Sequence, residues 1–223
     1  MRELFSRVAP RYDFITRAFS YGMDAEWKRL AVDGARLPEA AVVLDLACGT
    51  GDFSRLIKRR IGGSRLVALD LTEPMLRRAA RHGAPVCGDA SALPFPDACF
   101  DAVLVGYGLR NFPALEAALA EIRRVLRPGG VLVSLDFFLP PNRLWRRLYL
   151  GCLYLQGFFW GLLLHARPRT YTYIADSLRC FLTMDEYAAL LERAGLRVAA
   201  SRGFLGGGIG LHWAAVALAG RAS

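Results

Sequence analysis

The sequence is poor in the residues that build disulfide-linked and zinc-bound domains. It has five cysteines and three histidines among 223 residues, and no two cysteines form a C-x-x-C pair. Scattered cysteines of odd number are typical of a reduced intracellular protein and argue against a disulfide framework and a zinc site. The N-terminal residues also lack the apolar run, roughly 7–15 residues long, of a signal peptide. We therefore expect a cytoplasmic protein that holds no metal.

Acidic residues are in the minority, which makes the protein basic. Asp and Glu number 20 against 29 Lys and Arg, for a formal net charge of +9, and 54% of the residues are hydrophobic. This apolar fraction excludes a disordered chain, and the length predicts a single domain over residues 1–223. The charge permits nucleic acid or an anionic membrane as a partner. Because the basic residues are dispersed over predicted helix faces, we expect no nucleic acid partner.

One uncharged run stands out, at residues 148–164, with arginines on either side of it. A spanning helix needs about 20 apolar residues. This run is shorter, contains Gln156 and is interrupted by Gly151, Gly157 and Gly161, which disfavours a membrane span. Two other interpretations stay open: a buried or lid helix, and an apolar surface that touches a membrane or a lipid-like ligand.

Short apolar stretches alternate with helical patterns along the chain. Strands are predicted at residues 41–46, 64–70, 85–88, 100–106, 131–138, 197–204 and 212–219, with a turn at 127–130. Helices are predicted within 11–35 and at 52–60, 73–81, 115–126 and 184–194. This alternation predicts an α/β fold with a mostly parallel, doubly wound sheet that helices cover on both faces.

A glycine-rich turn follows the first predicted strand. Gly49 and Gly51 allow a tight turn and the close approach of a ligand. Asp70 ends the next strand, where its carboxylate can accept hydrogen bonds from both hydroxyls of a ribose. The order strand, glycine turn, helix, acid-ended strand therefore predicts a site for a nucleoside-containing cofactor.

The acids around this turn distinguish between two kinds of cofactor. Asp45 precedes the turn and Asp52 follows it, so a pyrophosphate at the helix N-terminus would meet two carboxylates. S-adenosylmethionine has no phosphate and carries a sulfonium and an ammonium, which carboxylates attract. Asp89 follows the third strand, where it can accept a hydrogen bond from an adenine amino group. The pattern favours S-adenosylmethionine.

Longer motifs extend over most of the chain. They are VLDLACGTGD at 43–52, ALDLTEPML at 68–76, GDASALPFPDACFDAV at 88–103, GYGLRNF at 106–112, EIRRVLRPGGVLVSLDF at 121–137, FSRVAPRYD at 5–13, FSYG at 19–22, WK at 27–28, YTYIADS at 171–177 and GGIGLH at 207–212. Together they resemble class I S-adenosylmethionine-dependent methyltransferases, and more narrowly the C-methyltransferases of menaquinone and ubiquinone biosynthesis.

The resemblance implies a Rossmann-like class I methyltransferase fold. It also implies an N-terminal helical lid over 1–36 and an apolar insertion over 140–183 that faces substrate or membrane. The cofactor, S-adenosyl-L-methionine, is then expected to contact a set of residues on the first, second, third and fourth strands. These are Asp45, Gly49, Thr50, Gly51, Asp70, Leu71, Asp89, Ala90 and Gly106.

The reaction implied by the resemblance is C-methylation of a prenylated quinol ring, of the demethylmenaquinol-to-menaquinol type. The ring carbon becomes nucleophilic when a neighbouring hydroxyl loses its proton, so the site needs a base and a positive group. Arg110 is expected to stabilise the oxyanion and Asn111 to position the ring. Tyr12 is expected to bond a ring oxygen. His212 is expected to take a proton, since its ordinary pKa is near neutrality.

Two residues depart from the family pattern: Gly106 stands where serine is common, and Asp136 stands where glutamate is usual. Methylation of another small molecule or lipid is the main alternative, and RNA modification is a weaker one. The motifs do not separate a menaquinone from a ubiquinone precursor. A homodimer and a membrane contact through 148–164, at the inner face of the membrane, are left open.

Overall fold

A seven-stranded sheet forms the centre of the protein. The computed structural model describes residues 9–165, 167 and 170–218. The strands are β1 (Val42–Leu46), β2 (Arg65–Asp70), β3 (Ala84–Cys87), β4 (Phe100–Gly106), β5 (Leu126–Phe137), β6 (Leu196–Phe204) and β7 (Ile209–Val216). Their spatial order is β3-β2-β1-β4-β5-β7-β6. The first five strands in that row are parallel, and β7 runs antiparallel to β5 and β6.

Helices cover both faces of this sheet. They are α1 (Tyr12–Phe19), α2 (Asp24–Gly34), α3 (Asp52–Arg60), α4 (Glu73–Ala79), α5 (Leu115–Val125), α6 (Arg143–His165), α7 (Tyr173–Arg179) and α8 (Met184–Arg193). One hydrophobic core packs α1, α2, α3, α6 and α7 against the sheet, and a second packs α5 and α8 against its other face.

Alternation along the central strands explains the two cores. In β4, Leu104 belongs to the core under α2 and α3, whereas Val103 and Val105 belong to the core under α5. Each of these side chains is fully buried. A strand that is covered on both faces needs apolar residues on both, which is why residues 102–105 of β4, AVLV, have no polar alternation. The predicted mostly parallel, doubly wound sheet is confirmed by this topology.

Most predicted elements lie within a few residues of the observed ones, with one clear error in β5. The turn predicted at 127–130 lies inside that strand. Phe100 pairs with Leu126 and Ala102 pairs with Val131, so the intervening residues form a bulge rather than an end to the pairing. Gly129, at φ +79°, supplies the left-handed conformation there. The last strand begins at Ile209, earlier than predicted, and Ala219 lies outside the described residues.

Helix α6 packs against the domain along one side only. Tyr149, Leu153, Gly157 and Gly161 are buried, and the Tyr149 hydroxyl donates to the Gly208 carbonyl at 2.9 Å. The opposite side, here called the apolar face, is exposed. It comprises Leu148, Leu155, Phe158, Phe159, Leu162 and Leu163. The uncharged run is therefore both a packed helix and an apolar surface. By length and composition alone, Arg143–Leu164 could cross a membrane.

Two glycines in α6 have opposite surroundings, and we expect opposite effects of alanine. A Cβ at Gly157 would lie 2.7 Å from the Tyr171 backbone, whereas one at Gly151 would meet nothing within 4 Å. Gly151→Ala should stabilise the protein by about 0.5–1 kcal/mol through helix propensity. Gly157→Ala should destabilise it by about 1–3 kcal/mol, because α6 must move away from residues 171–172. Chemical unfolding of both variants measures this. Equal effects would contradict the close helix contact.

Candidate active site

A cleft opens where the carboxyl ends of β1, β2 and β4 meet. Its empty volume, counted out to the solvent, is about 840 Å³. The lining residues come from the ends of the strands and the loops that follow them. They are Leu46, Ala47, Gly49, Leu69, Asp70, Leu71, Thr72, Met75, Gly88, Asp89, Ala90, Gly106, Tyr107, Gly108, Asn111, Phe112 and Pro113.

Asp45 fixes the start of α3. Its Oδ2 accepts hydrogen bonds from the Ser54 backbone N–H at 2.9 Å and the Ser54 hydroxyl at 2.6 Å. The side chain is 1% exposed, and burial raises the pKa of its carboxyl to about 7. The bonds to Ser54 oppose that rise, since they favour the charged form. Asp45 is thus turned toward the helix and does not line the cleft.

Asp70 joins the turn after β1 to the end of β2. Its Oδ2 accepts from the Gly49 N–H at 2.9 Å, and its Oδ1 accepts from the Thr72 N–H at 2.8 Å. Burial raises the pKa of this carboxyl above its ordinary value, and the two backbone donors oppose the rise. Since each carboxylate oxygen has two lone pairs, Asp70 keeps acceptor capacity on the cleft side.

The cleft is negatively charged. Asp70 and Asp89 are the acidic residues among those that line it, and the described part of the lining has no Lys, Arg or His. Such a site attracts a cation and repels a phosphate. The sequence argument for a cationic cofactor relied on Asp45 and Asp52. In the structure Asp45 is turned away from the cleft, and the Asp52 carboxylate pairs with Lys28 and Arg55. The expected preference for a cationic cofactor therefore stands on Asp70 and Asp89.

Most of the predicted cofactor residues line the cleft. They are Gly49, Asp70, Leu71, Asp89, Ala90 and Gly106. Three shape the turn from behind: Asp45, Thr50 and Gly51. The Thr50 hydroxyl donates to Asp13 of α1, and Gly51 precedes α3 at φ +87°, a conformation that favours glycine.

The departure at Gly106 has a packing reason. A Cβ on Gly106 would lie 2.6 Å from Cε2 of Phe53, a buried residue in the first turn of α3. A serine would therefore clash with this ring. In this chain the phenyl ring fills the space behind the cleft wall, and the wall at 106 is bare backbone.

Arg110 is paired with a buried carboxylate. Its Nη1 lies 2.6 Å from Asp136 Oδ1, and the two side chains are 5% and 0% exposed. Asp136 Oδ2 also accepts from the Leu109 N–H at 2.8 Å, and the guanidinium lies over the Phe137 ring. The aspartate that replaces the usual glutamate thus still reaches Arg110. The pair anchors the loop after β4, and Arg110 itself does not line the cleft.

Asn111 lines the cleft and is oriented by a tyrosine. The Tyr173 hydroxyl, at the start of α7, donates to Asn111 Oδ1 at 2.6 Å. Burial raises the pKa of Tyr173, so its hydroxyl keeps its proton and stays a donor. Sequence reasoning treated Tyr173 mainly as a core residue. The Y-x-Y motif at 171–173 was the one sequence feature that could have predicted that Tyr173 lies beside the site.

Tyr107 was missed by sequence reasoning. It lines the cleft and has φ +58°, an uncommon conformation for a residue with a side chain. Its carbonyl faces the side-chain donors of Arg110 and Asn111, at 3.4 and 3.3 Å. Strained backbone of this kind is concentrated at functional sites, and here it aims one peptide group at both residues.

The other two predicted catalytic residues do not join this group. Tyr12 begins α1, but its side chain lies outside the described residues. His212 is 1% exposed and lies edge-on to the rings of Phe138 and Tyr187. Burial lowers its pKa to about 4, and it does not line the cleft. We therefore correct the expectation that His212 takes a proton: its surroundings are those of a core histidine.

Comparison with known proteins agrees with this geometry. The model of the ubiE/COQ5 methyltransferase family matches residues 1–216. The chain belongs to the ubiE/COQ5 methyltransferase family. It is 41% identical over 204 residues to a demethylmenaquinone methyltransferase of Thermus thermophilus, covering 87% of this chain and 92% of the relative. It is 37% identical over 217 residues to a ubiquinone/menaquinone biosynthesis C-methyltransferase of Geobacter sulfurreducens, covering 91% and 82%.

Solved structures share the fold of this ubiE/COQ5 member at low identity. A putative methyltransferase in complex with the Trm112 activator of Haloferax volcanii has a TM-score of 0.69 at 18% identity, covering 96% of this chain and 97% of that one. A possible histamine N-methyltransferase of Thermotoga maritima has a TM-score of 0.66 at 20% identity, covering 96% and 99%. These likenesses show the class I methyltransferase fold.

Family membership confirms the predicted C-methyltransferase activity and its cofactor, S-adenosylmethionine. The residues of the ubiE/COQ5 chain fit the cofactor, because an acidic lining without a base suits its positive charges. Asp70 and Asp89 would take its polar groups, and Gly49 and Gly106 would let it lie against backbone. Among the described residues, no group of three or more His, Cys, Asp or Glu side chains could hold a metal ion.

Asp45 gives the stability of the protein a pH dependence that Asp45→Asn removes. The unfolded carboxyl ionises near 3.8 and the folded one near 7. Between these values the folded state holds the extra proton, so stability from this group falls as pH rises. The fall is at most about 1.4 kcal/mol per pH unit and ends above the folded pKa.

The unfolding free energy of Asp45→Asn minus that of the wild type should therefore rise from pH 4.5 to pH 7 and then stay level. Urea unfolding of both proteins across this range measures the difference, in which the other ionisable groups cancel. Parallel curves would mean that Asp45 is already ionised in the folded protein at low pH.

Proposed function

We propose that this methyltransferase transfers a methyl group from S-adenosylmethionine to a ring carbon of a prenylated quinol, in menaquinone or ubiquinone biosynthesis. The observation that carries the proposal is the acidic cleft, which has no basic residue among the described residues that line it. Asn111 is on its wall, and the preceding residue, Arg110, is paired with buried Asp136. The relatives named above act in this chemistry by their names, and another relative, from Thermosynechococcus vestitus, is a 2-phytyl-1,4-naphtoquinone methyltransferase at 36% identity.

The cofactor, when bound, supplies a methyl carbon made electrophilic by its sulfonium. The protein must align that carbon with the quinol ring and favour loss of a hydroxyl proton from the ring. We assign Asn111 to the ring oxygen, because it is on the cleft wall and Tyr173 fixes its orientation. The same acidic wall disfavours a substrate with phosphate near the reacting centre, which weakens the RNA alternative.

Arg110 is assigned a role through its neighbours. Its charge is matched by Asp136, so it acts on the oxyanion by positioning the loop and by the field of a buried guanidinium, rather than as a free cation. This revises the expected direct role. The expected bond from Tyr12 to a ring oxygen stays a prediction, since α1 packs over the turn through Asp13 and Thr50.

The test is methylation of purified demethylmenaquinol, with cofactor binding measured separately by calorimetry. The product should gain the mass of one methyl group. Arg110→Met should lower kcat by about a hundredfold, because the positioned loop and its field act on the transition state. It should leave the KM for S-adenosylmethionine nearly unchanged, because Arg110 does not line the cleft. Arg60→Met is the control, since its bridge to Asp33 is at the surface.

Cofactor binding without methylation of any prenylated quinol would reject the proposal. Activity on phospholipids or sterols in the same panel would instead support the alternative of another lipid substrate. An equal loss in Arg110→Met and Arg60→Met would reject the assignment of Arg110.

We also propose that the apolar face of α6 lies on an anionic membrane, where prenylated quinols reside. Exposed arginines border this face: Arg143 and Arg147 near one end of α6 and Arg167 beyond the other. Phe14 of α1 adds an exposed ring, edge-on to Trp160 at 5.0 Å. An apolar surface ringed by cations suits the interface of an anionic bilayer. Because the other side of α6 is packed on the domain, the helix is expected to lie along the surface rather than span it.

Vesicle sedimentation tests this surface. The wild type should bind vesicles with anionic phosphatidylglycerol more tightly than zwitterionic ones, and salt should weaken the binding. The double variant Leu155→Glu/Phe159→Glu should bind at least tenfold more weakly, because two charges replace exposed apolar groups that the bilayer would bury. Leu218→Glu changes another exposed leucine, outside the apolar face, and should bind as the wild type does. Equal binding of the double variant and the control would contradict the proposal.

A further inference from the structure

A buried lysine lies behind the cofactor turn. Lys28, in α2, has a side chain that is 8% exposed. Its Nζ lies 2.9 Å from Asp24 Oδ2 and 2.8 Å from Asp52 Oδ2. The same ammonium is 5.6 Å from the centre of the Tyr107 ring. Desolvation lowers the pKa of Lys28, but the two carboxylates more than compensate, so the pKa is raised and the charge is kept.

The partners of Lys28 belong to three separate segments. Asp24 is on the same helix, one turn earlier. Asp52 is the first residue of α3, directly after Gly51. Tyr107 lines the cleft at the start of the loop that carries Asn111. A single ammonium on α2 thus contacts the start of α3, directly after the glycine turn, and the loop after β4.

A second polar contact joins the same parts. The Thr50 hydroxyl donates to Asp13 of α1. The glycine turn therefore contacts α1 through Thr50 and α2 through Asp52, on the side away from the cleft. The turn contains two glycines with positive φ, Gly49 and Gly51, and such a segment has many conformations available unless its neighbours restrict it.

Stability alone is a weak reason for this arrangement. Burying an ammonium and two carboxylates costs desolvation energy, and well-packed apolar residues of similar volume often serve a core equally well. The lysine side chain does provide something that an apolar residue cannot: a directional bond to the carboxylate that begins α3. Its placement is explained if the position of Asp52 matters.

We propose that Lys28 is a positioning residue for cofactor binding: by holding Asp52, it docks the N-terminal helices on the glycine turn and fixes that turn in its binding conformation. Lys28 and Asp52 do not line the cleft, so they act through the turn. The inference rests on the proposed function only for the identity of the cofactor. Quinol methylation plays no part in its test.

The two carboxylates on Lys28 provide a matched comparison. Asp24→Asn and Asp52→Asn each remove one partner from the same ammonium, but only Asp52 directly follows the turn, as the first residue of α3. Asp52→Asn also loses the bridge to Arg55, which Lys28→Met keeps. Calorimetry should give a Kd for S-adenosylmethionine about tenfold higher in Asp52→Asn and in Lys28→Met. Asp24→Asn should stay within about twofold of the wild type, and Lys28→Arg should restore most of the affinity lost in Lys28→Met.

Hydrogen exchange without ligand gives a second measurement. Amides of residues 47–55 should exchange faster in Asp52→Asn than in Asp24→Asn, while those of β4 should be unchanged. Equal Kd values for S-adenosylmethionine in Asp24→Asn and Asp52→Asn would overturn the proposal. If both Kd values equalled that of the wild type while both unfolding midpoints were lowered, Lys28 would be part of a structural ion pair only. Should Lys28→Met fail to fold, the pair of aspartate variants still decides. A cofactor that binds as expected while no quinol is methylated would reject the proposed function and leave this inference standing.

Discussion

The site depends on backbone amides that two strand-end carboxylates hold in place. Asp45 of β1 binds the start of α3 through Ser54, and Asp70 of β2 binds the turn itself through the Gly49 N–H. A turn with two glycines at positive φ has little preference of its own. Asp45 and Asp70 hold the turn in one conformation, and that conformation sets the shape of the cleft wall. Their first role is thus structural, and Asp45 shapes the geometry of the site without facing the cleft.

Charge is separated within the molecule. The protein has a net charge of +9, yet the described residues that line the cleft include two acids and no bases. Asp52 and Asp136 add little to the field of the cleft, because Asp52 is paired with Lys28 and Arg55, and Asp136 is paired with Arg110. The remaining Asp70 and Asp89 face a cationic cofactor, while the basic exterior suits an anionic surface.

Much of the fold could be predicted from the sequence, because buried parallel strands are continuous apolar runs and the glycine turn has a fixed order of residues. The bulge in β5 could not, since Arg-Pro-Gly-Gly at 127–130 is typical of a turn that ends a strand, and only pairing with β4 decides otherwise. In the site, the acid and glycine positions were predictable from local spacing. The roles of Lys28 and Tyr173 depend on contacts between distant segments, and His212 shows that a residue type alone does not indicate its surroundings.

The one-sided packing of α6 has a consequence for handling the protein. A contiguous row of leucine and phenylalanine side chains in water favours burial against any similar surface, including the same row on a second molecule. Self-association in detergent-free buffer would then grow with concentration and vanish on adding mild detergent. A dimer observed under such conditions would be caused by burial of these exposed apolar side chains. A physiological assembly is better sought with lipid present.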